Sequence, residues 1–173
     1  MGLARRLNQL QPPTRLHPGV KVESFDCGED DLNHWLKHRA RRAEGDTART
    51  YVVCDQDGVL ASYYCLSTGA VERQAAATSA LRRNAPDPIP VMVIGRLAVD
   101  QSWQGHGLGP LILRDALLRI LQASEIVGIR AVLVHAISEQ AKAFYVKYGF
   151  KESPMNSLTL MLPLAQMRKD ENV

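Results

Sequence analysis

One stretch constrains the fold more than any other: Gly95–Leu113, GRLAVDQSWQGHGLGPLIL. It opens with Arg96-Leu97-Ala98-Val99, and Val91–Ile94 leads in, so the pattern predicts a strand. A polar turn follows, Asp100-Gln101-Ser102-Trp103, and then Gln104-Gly105-His106-Gly107-Leu108-Gly109 opens a long apolar-rich helix. Strand, glycine-rich turn and helix in that order place free backbone N–H groups at a helix N-terminus, where they face an anion. Glycine tolerates positive φ there and has no Cβ to hold a phosphate away. The stretch therefore reads as a pyrophosphate cradle. It is not a P-loop, because no Lys-Ser/Thr follows the glycines. Pro110 stands where a dinucleotide fingerprint wants Gly or Ala. Taken alone, it also fits a glycine turn with no ligand.

At 173 residues the chain is long enough for one domain with a sizeable core, flanked by tails. We place an arm at residues 1–19, a domain at 20–163 and a polar, loose tail at 164–173. Net charge is only +3, but fifteen of the 21 bases are arginine, which grips phosphate through a planar fork. They cluster at Arg39, Arg41 and Arg42 and at Arg82 and Arg83, which suits an anionic partner, although solvated surface is the common alternative. Cys27, Cys54 and Cys65 form neither a C-x-x-C nor an even disulfide set, which points to buried thiols in a reducing cytoplasm. His34 and His38 are four apart but have no third ligand nearby, so no metal is expected. No apolar run is long enough to cross a bilayer.

In chain order, a short strand is expected near Val20–Phe25, then a helix from Glu29 to Ala43 with Leu32, Trp35, Leu36 and Ala40 on one stripe. Thr50–Cys54 and Val59–Leu66 read as a hairpin around Asp55-Gln56-Asp57-Gly58. Residues 74–90 are irregular, with any helix short. Leu108–Ser124 is helix, Arg130–Ala136 a buried strand, and Ser138 caps a helix that ends at Gly149. Ser157–Leu162 is a last strand. The fold class is α/β, with a mixed sheet flanked by helices.

Gln104, Gly107 and Gly109 match Q/R-x-x-G-x-G/A, and Ala141-Lys142-Ala143-Phe144-Tyr145-Val146-Lys147-Tyr148-Gly149-Phe150 supplies A-x-x-F-Y-x-x-x-G-F on a later helix. Together these resemble the GNAT superfamily of N-acetyltransferases. The resemblance implies the GNAT acyl-CoA N-acyltransferase fold with splayed central strands, and acetyl-CoA as cofactor. It further implies that the pantetheine arm lies along Leu97, Ala98 and Val99. It places the pyrophosphate over Gln104, Gly105, His106, Gly107, Leu108 and Gly109, with Ser138 and Phe144 beside the arm. Ser138 stands where the family often has Asn. Phe25-Asp26-Cys27-Gly28, Leu32-Asn33-x-Trp35-Leu36, Arg49–Val53, Tyr63-Tyr64-x-Leu66 and Gly95–Asp100 narrow the likeness to the GNAT toxins of bacterial toxin–antitoxin pairs. That narrower likeness implies acetylation of the α-amine of aminoacyl-tRNA, which blocks translation. It also implies a homodimer and a ribbon-helix-helix antitoxin encoded beside it; whether their complex binds operator DNA is left open by the sequence. Tyr145 falls on the family's catalytic tyrosine.

Acetyl transfer needs a neutral amine, a polarised carbonyl and a proton for the departing thiolate. Backbone N–H groups near Val99 suit the second task and a Tyr145 hydroxyl the third. Periodicity alone would make Tyr145 a core aromatic between Phe144 and Tyr148. No general base stands out. His135 reads as a satisfied strand-end histidine, and an α-amine, titrating near pH ~8, is partly neutral without help. Arg39, Arg41, Arg42, Arg82, Arg83 and Arg96 are the candidates for holding tRNA. A GNAT enzyme acting on a small amine or a protein N-terminus is the alternative, and a non-enzymatic binding module is a third. Neither uses both the arginines and the intact motifs.

Overall fold

The structure is a computed structural model and describes residues 6–171. The first five residues of the expected arm, Arg5 among them, and the last two of the tail lie outside the described residues. Seven strands form one mixed sheet in the order β1-β2-β3-β4-β5-β7-β6. They are β1 (Thr14–Arg15), β2 (Arg49–Cys54), β3 (Leu60–Val71), β4 (Ile89–Val99), β5 (Ala131–His135), β6 (Lys151–Ser153) and β7 (Asn156–Pro163). The helices are α1 (Asp30–His38), α2 (Ala40–Ala43), α3 (Ser79–Arg82), α4 (Leu108–Ala123), α5 (Glu139–Lys147) and α6 (Leu164–Glu171). The chain folds as two compact units, one of Met1–Ser67 with Gly95–Leu118, the other of Thr68–Ile94 with Arg119–Val173.

The first unit is built on the β2–β3 hairpin. Asp55 Oδ1 accepts from the N–H groups of Asp57 and Val59, both at 2.9 Å, so an Asx turn closes the loop where the sequence expects one. The segment read as an arm contributes the first strand of the sheet. Thr14 pairs with Val52 and Arg15 with Tyr51. Pro12 and Pro13 fit such an edge, which needs few donors. The strand expected at Val20–Phe25 does not form. Lys21 makes one parallel bridge to Val59, and the Phe25 N–H turns back onto the Val22 carbonyl at 3.1 Å. The alternating Val20 and Val22 are buried, but under the hairpin turn rather than in a ladder. Val20, Val22, Phe25, Leu36 and Tyr63 form one core. Truncating a ring such as Phe25 there to Ala costs about 3–5 kcal/mol.

The helix expected over Glu29–Ala43 breaks at Arg39 (φ −125°, ψ −30°), and α2 restarts at Ala40. Ala40 is fully buried and the Arg41 guanidinium donates to the Val20 carbonyl at 2.8 Å. These tertiary contacts outweigh the helix preference of the local residues. Asp30 and Asp31 sit in the first turn of α1 and Lys37 and His38 in its last, matching the macrodipole. Asp26, in the loop before α1, accepts from the Gly28 N–H and the Asn33 side-chain amide, each at 2.9 Å. The Gly28 bond, then the Asn33 bond, holds its carboxyl below the ordinary value of 3.8. A lowered folded value means the stabilisation is present above 3.8 and is lost as pH falls through the folded value. Melting temperature should therefore fall less steeply in acid for Asp26→Asn than for the native chain. Superimposable acid limbs would disprove this.

In the second unit β4 and β5 run parallel, with Val91 opposite Ala131 and Ile94 opposite Val134. β5 is antiparallel to β7, Ala131 facing Pro163 and His135 facing Thr159. The unbroken apolar centre of β5 is buried throughout Ala131–Val134. Two elements here are absent from the sequence reading. β6 is a polar three-residue edge strand, with Lys151 opposite Met161. The tail expected to be loose forms α6, pinned by Leu164 and Met167, which are 2% and 6% exposed. One turn apart in a polar stretch, they give too short a stripe to register as a period.

Candidate active site

The glycine turn belongs to the first unit, and its geometry is set at the end of β4. Asp100 Oδ1 accepts from the Ser102 N–H at 2.9 Å and from its hydroxyl at 2.6 Å, while Oδ2 accepts from the Asp26 N–H at 2.9 Å. The Gln104 side-chain amide donates to the carbonyls of Cys27 and Val99, both at 2.9 Å. Gln104 thus fastens the turn, leaving its backbone as its route to a ligand. Gly105 and Gly107 have φ of +77° and +82°, and among the described residues no atom beyond the glycine and its chain neighbours lies within 4 Å of where a Cβ would stand on either. An L side chain is strained there, and the space that it would fill is open. Leu108, 3% exposed, then anchors the first turn of α4, followed inward by Ile112, Leu113 and Ala116. Leu108 and Gly109 lie in that first turn, whose N–H groups have no partner within the helix. An open turn with two left-handed glycines ahead of a sixteen-residue helix fits a pyrophosphate.

His106, between the two glycines, contacts the Arg6 Nη1 through its Nε2 at 3.0 Å, and its Nδ1 is shut from solvent with no hydrogen-bond partner among the described residues. Leu97, Ala98 and Val99 carry the strand into this turn, Ala98 being buried in the core under α1. The Arg96 guanidinium lies over the Trp35 ring at 4.3 Å. Burial pushes the Cys65 thiol up, more strongly than the nearby Arg96 charge draws it down. Burial lifts the Cys54 thiol to about 11 as well, so neither thiol is a ready nucleophile.

Tyr145 belongs to the second unit. Ser138 caps α5 as expected, its hydroxyl accepting from the Ala141 N–H at 3.1 Å. The Tyr145 side chain is buried, 7% exposed, edge-on to Phe144 and Phe150 with ring centroids at 5.2 and 5.5 Å. Phe144 also meets Tyr148 edge-on at 5.2 Å. His135 Nδ1 lies 3.0 Å from the Thr159 hydroxyl, the satisfied strand-end histidine that the sequence suggests.

The arginines divide. Arg39 and Arg42 are exposed and line a cleft of about 610 Å³ with His34, Trp35 and His38. Arg41 spends a donor on Val20, and Arg82 donates to the Ala76 carbonyl at 2.8 Å, so both brace backbone. Arg83 is exposed, and its carbonyl accepts from Arg130 at 2.8 Å. Two residues of the first unit escape the sequence reading. Arg6 lies one hundred positions before the histidine it contacts. Asp115, on α4, accepts from the Tyr64 hydroxyl at 2.5 Å. Neither has a local pattern that would reveal it.

Residues 46–152 match the family model described as the acetyltransferase (GNAT) domain. That span exceeds half of the chain, and the protein belongs to the GNAT acetyltransferase family. Within the family it is similar to the tRNA-acetylating toxin of Mycobacterium tuberculosis, with 43% identity over 90% of this chain and 93% of that protein. Among solved structures, a KacT mutant superposes with a TM-score of 0.87 at 32% identity, covering 93% of this chain and 98% of that one. AtaT complexed with acetyl-methionyl-tRNAfMet superposes with a TM-score of 0.85 at 30% identity, covering 92% and 97%. The mixed seven-stranded sheet flanked by helices is the architecture that the sequence resemblance implies.

Proposed function

We propose that this chain is the toxin of a toxin–antitoxin pair, transferring acetyl from acetyl-CoA to the α-amine of aminoacyl-tRNA and so blocking translation. The observation that carries this reading is the 43% identity, over nearly the full length of both chains, with a protein named for acetylating tRNA. Acetyl-CoA supplies the acetyl group as a thioester, and AtaTR has been solved bound to it. The N–H groups of the turn from Gly105 to Gly109 hold the pyrophosphate, and the backbone of Leu97–Val99 aligns the arm, with Ser138 and Phe144 beside it. The neutral amine forms the new N–C bond, the C–S bond breaks, the Tyr145 hydroxyl hands its proton to the leaving sulfur, and the proton that the amine nitrogen sheds on becoming an amide returns, through solvent, to the Tyr145 oxygen. An α-amine titrates near pH ~8, so a useful fraction is neutral at pH 7 without a dedicated base.

The partners follow from the same relatives. KacT with its antitoxin has been solved on DNA, as has the AtaT–AtaR complex. A ribbon-helix-helix antitoxin, an operator-binding complex, a toxin homodimer and action in the cytoplasm complete the proposal. Among the described residues no helix is long and apolar enough to cross a membrane.

The test incubates the protein with radiolabelled acetyl-CoA and with charged or uncharged tRNA. Label should appear on charged tRNA alone and leave when the aminoacyl ester is hydrolysed. Label on uncharged tRNA would overturn the α-amine assignment. Phosphate contacts release counterions, so apparent affinity should fall steeply with salt. Arg39 and Arg42, whose side chains make no hydrogen bond or ion pair among the described residues, are the first choice for those contacts. Changing both to Ala should weaken tRNA binding and flatten its salt slope, leaving acetyl-CoA binding alone. An unaltered slope would move the tRNA path elsewhere, with Arg83 and Arg96 next to be tested.

A further inference from the structure

We infer that Arg6 is a ligand of the pyrophosphate held by the glycine turn, delivered there by the N-terminal segment; this rests on the acetyl-CoA reading above. The guanidinium carbon lies 5.0 Å from the centroid of the Trp103 ring, and Nη1 lies 3.0 Å from His106 Nε2. Trp103 and His106 both belong to the turn, and His106 stands between the two glycines whose Cβ space is open.

The hydrogen bond fixes the chemistry of the pair. A guanidinium only donates, so Nε2 accepts and the ring proton sits on Nδ1. The Nδ1–H is buried and has no hydrogen-bond partner among the described residues, so the turn holds an unmet donor beside the cradle. Arg6 itself has no carboxylate partner among the described residues. One of its five N–H donors is used on His106, and the others remain for phosphate oxygens.

The segment that carries it is tied down. The Gln9 N–H donates to the Arg6 carbonyl at 3.1 Å, Leu10 bridges to Asp55, and the Gln11 N–H donates to the Cys54 carbonyl at 2.8 Å. Trp103 stacking and the His106 bond orient the side chain in advance, which lowers the ordering cost of binding. A lone exposed arginine would owe most of its affinity back to that cost. The N-terminal segment thereby becomes part of the cofactor site although it lies far from the glycine motif in sequence.

Calorimetric titration of the full chain tests this with two probes, acetyl-CoA and its form lacking the 3′-phosphate. Both carry the pyrophosphate. Arg6→Ala should weaken both by about tenfold, as expected for losing a charge-assisted contact. Arg6→Gln keeps a donor for His106 but loses the charge, and it should lose as much as Arg6→Ala. Arg6→Lys should recover part. Added salt should shrink the difference from the native chain, since screening acts on the charge. Native affinity in Arg6→Gln would reduce Arg6 to a brace for His106 and overturn the inference. A loss confined to acetyl-CoA would put Arg6 on the 3′-phosphate and overturn it too. If the native chain bound neither probe, the cofactor reading would fail first, an outcome distinct from both.

Discussion

Tyr145→Phe is expected to lower turnover by about 100-fold or more while leaving acetyl-CoA affinity near its native value. The substitution keeps the ring. Its edge-on contacts with Phe144 and Phe150 therefore survive, and so does the burial of a side chain only 7% exposed. What disappears is the hydroxyl. A thiolate leaving without a proton is the harder departure, and a positioned phenol supplies that proton in the transition state alone. Such a loss appears in turnover and not in ground-state binding. A purely structural hydroxyl predicts the opposite pattern. Removing one hydrogen bond would cost about 1 kcal/mol of stability, shift the melt and leave turnover intact. Tyr145→Ala cannot separate the two, because it also opens a cavity worth about 3–5 kcal/mol. Solved relatives include tyrosine-to-phenylalanine mutants of KacT and AtaT. Full activity in Tyr145→Phe would return Tyr145 to the core.

The parts of this fold that are legible in the sequence are those where local chemistry and tertiary environment agree. The β4–turn–α4 unit announces itself because strand period, turn residues and helix period change within a few positions. The Ser138 cap and the stop at Gly149 frame α5 in the same way. The failures are equally physical. The Glu29–Ala43 stripe continues through Arg39, so nothing in its periodicity signals the break that seats Ala40 and frees Arg41 for Val20. Alternation at Val20 and Val22 mimics a strand because burial under a hairpin turn also demands apolar residues. β6 and α6 are held by a few long-range contacts, such as Ser153 to the Ala75 carbonyl and the Leu164 N–H to the Arg130 carbonyl. No window of local residues contains that information.

For the site the division is sharper. Gly105, Gly107 and Tyr145 are proposed from motifs, because the chemistry proposed for them constrains residue type at fixed spacing. The arginines are found only as a class. Counting charge does not tell Arg39 and Arg42, which line an open cleft, from Arg41 and Arg82, which brace backbone carbonyls. Arg6 is invisible in sequence because its partners, Trp103 and His106, are brought to it by the fold.

Gly107→Glu should abolish measurable acetyl-CoA binding while the domain stays folded. Gly107 sits at φ +82° with open space where a Cβ would be, so the first atom of a new side chain meets no described neighbour. Its cost to folding is the left-handed backbone, about 1–2 kcal/mol. Its cost to binding is larger. The carboxylate enters the region proposed for the pyrophosphate, and two like charges about 4 Å apart in an effective dielectric near 20 repel by about 4 kcal/mol. That exceeds the roughly 1.4 kcal/mol that corresponds to each tenfold in affinity, so the loss should pass 100-fold. Gly45 provides the matched control. It has φ +85° and likewise nothing within 4 Å of its Cβ position, but it lies just beyond α2 rather than in the turn. Gly45→Glu should carry the same backbone strain, melt at a similarly lowered temperature and bind acetyl-CoA as the native chain does. If both variants lost acetyl-CoA together, the effect would belong to strain or to net charge, and the cradle would be misplaced. If Gly107→Glu bound acetyl-CoA normally, the pyrophosphate would have to lie away from this turn.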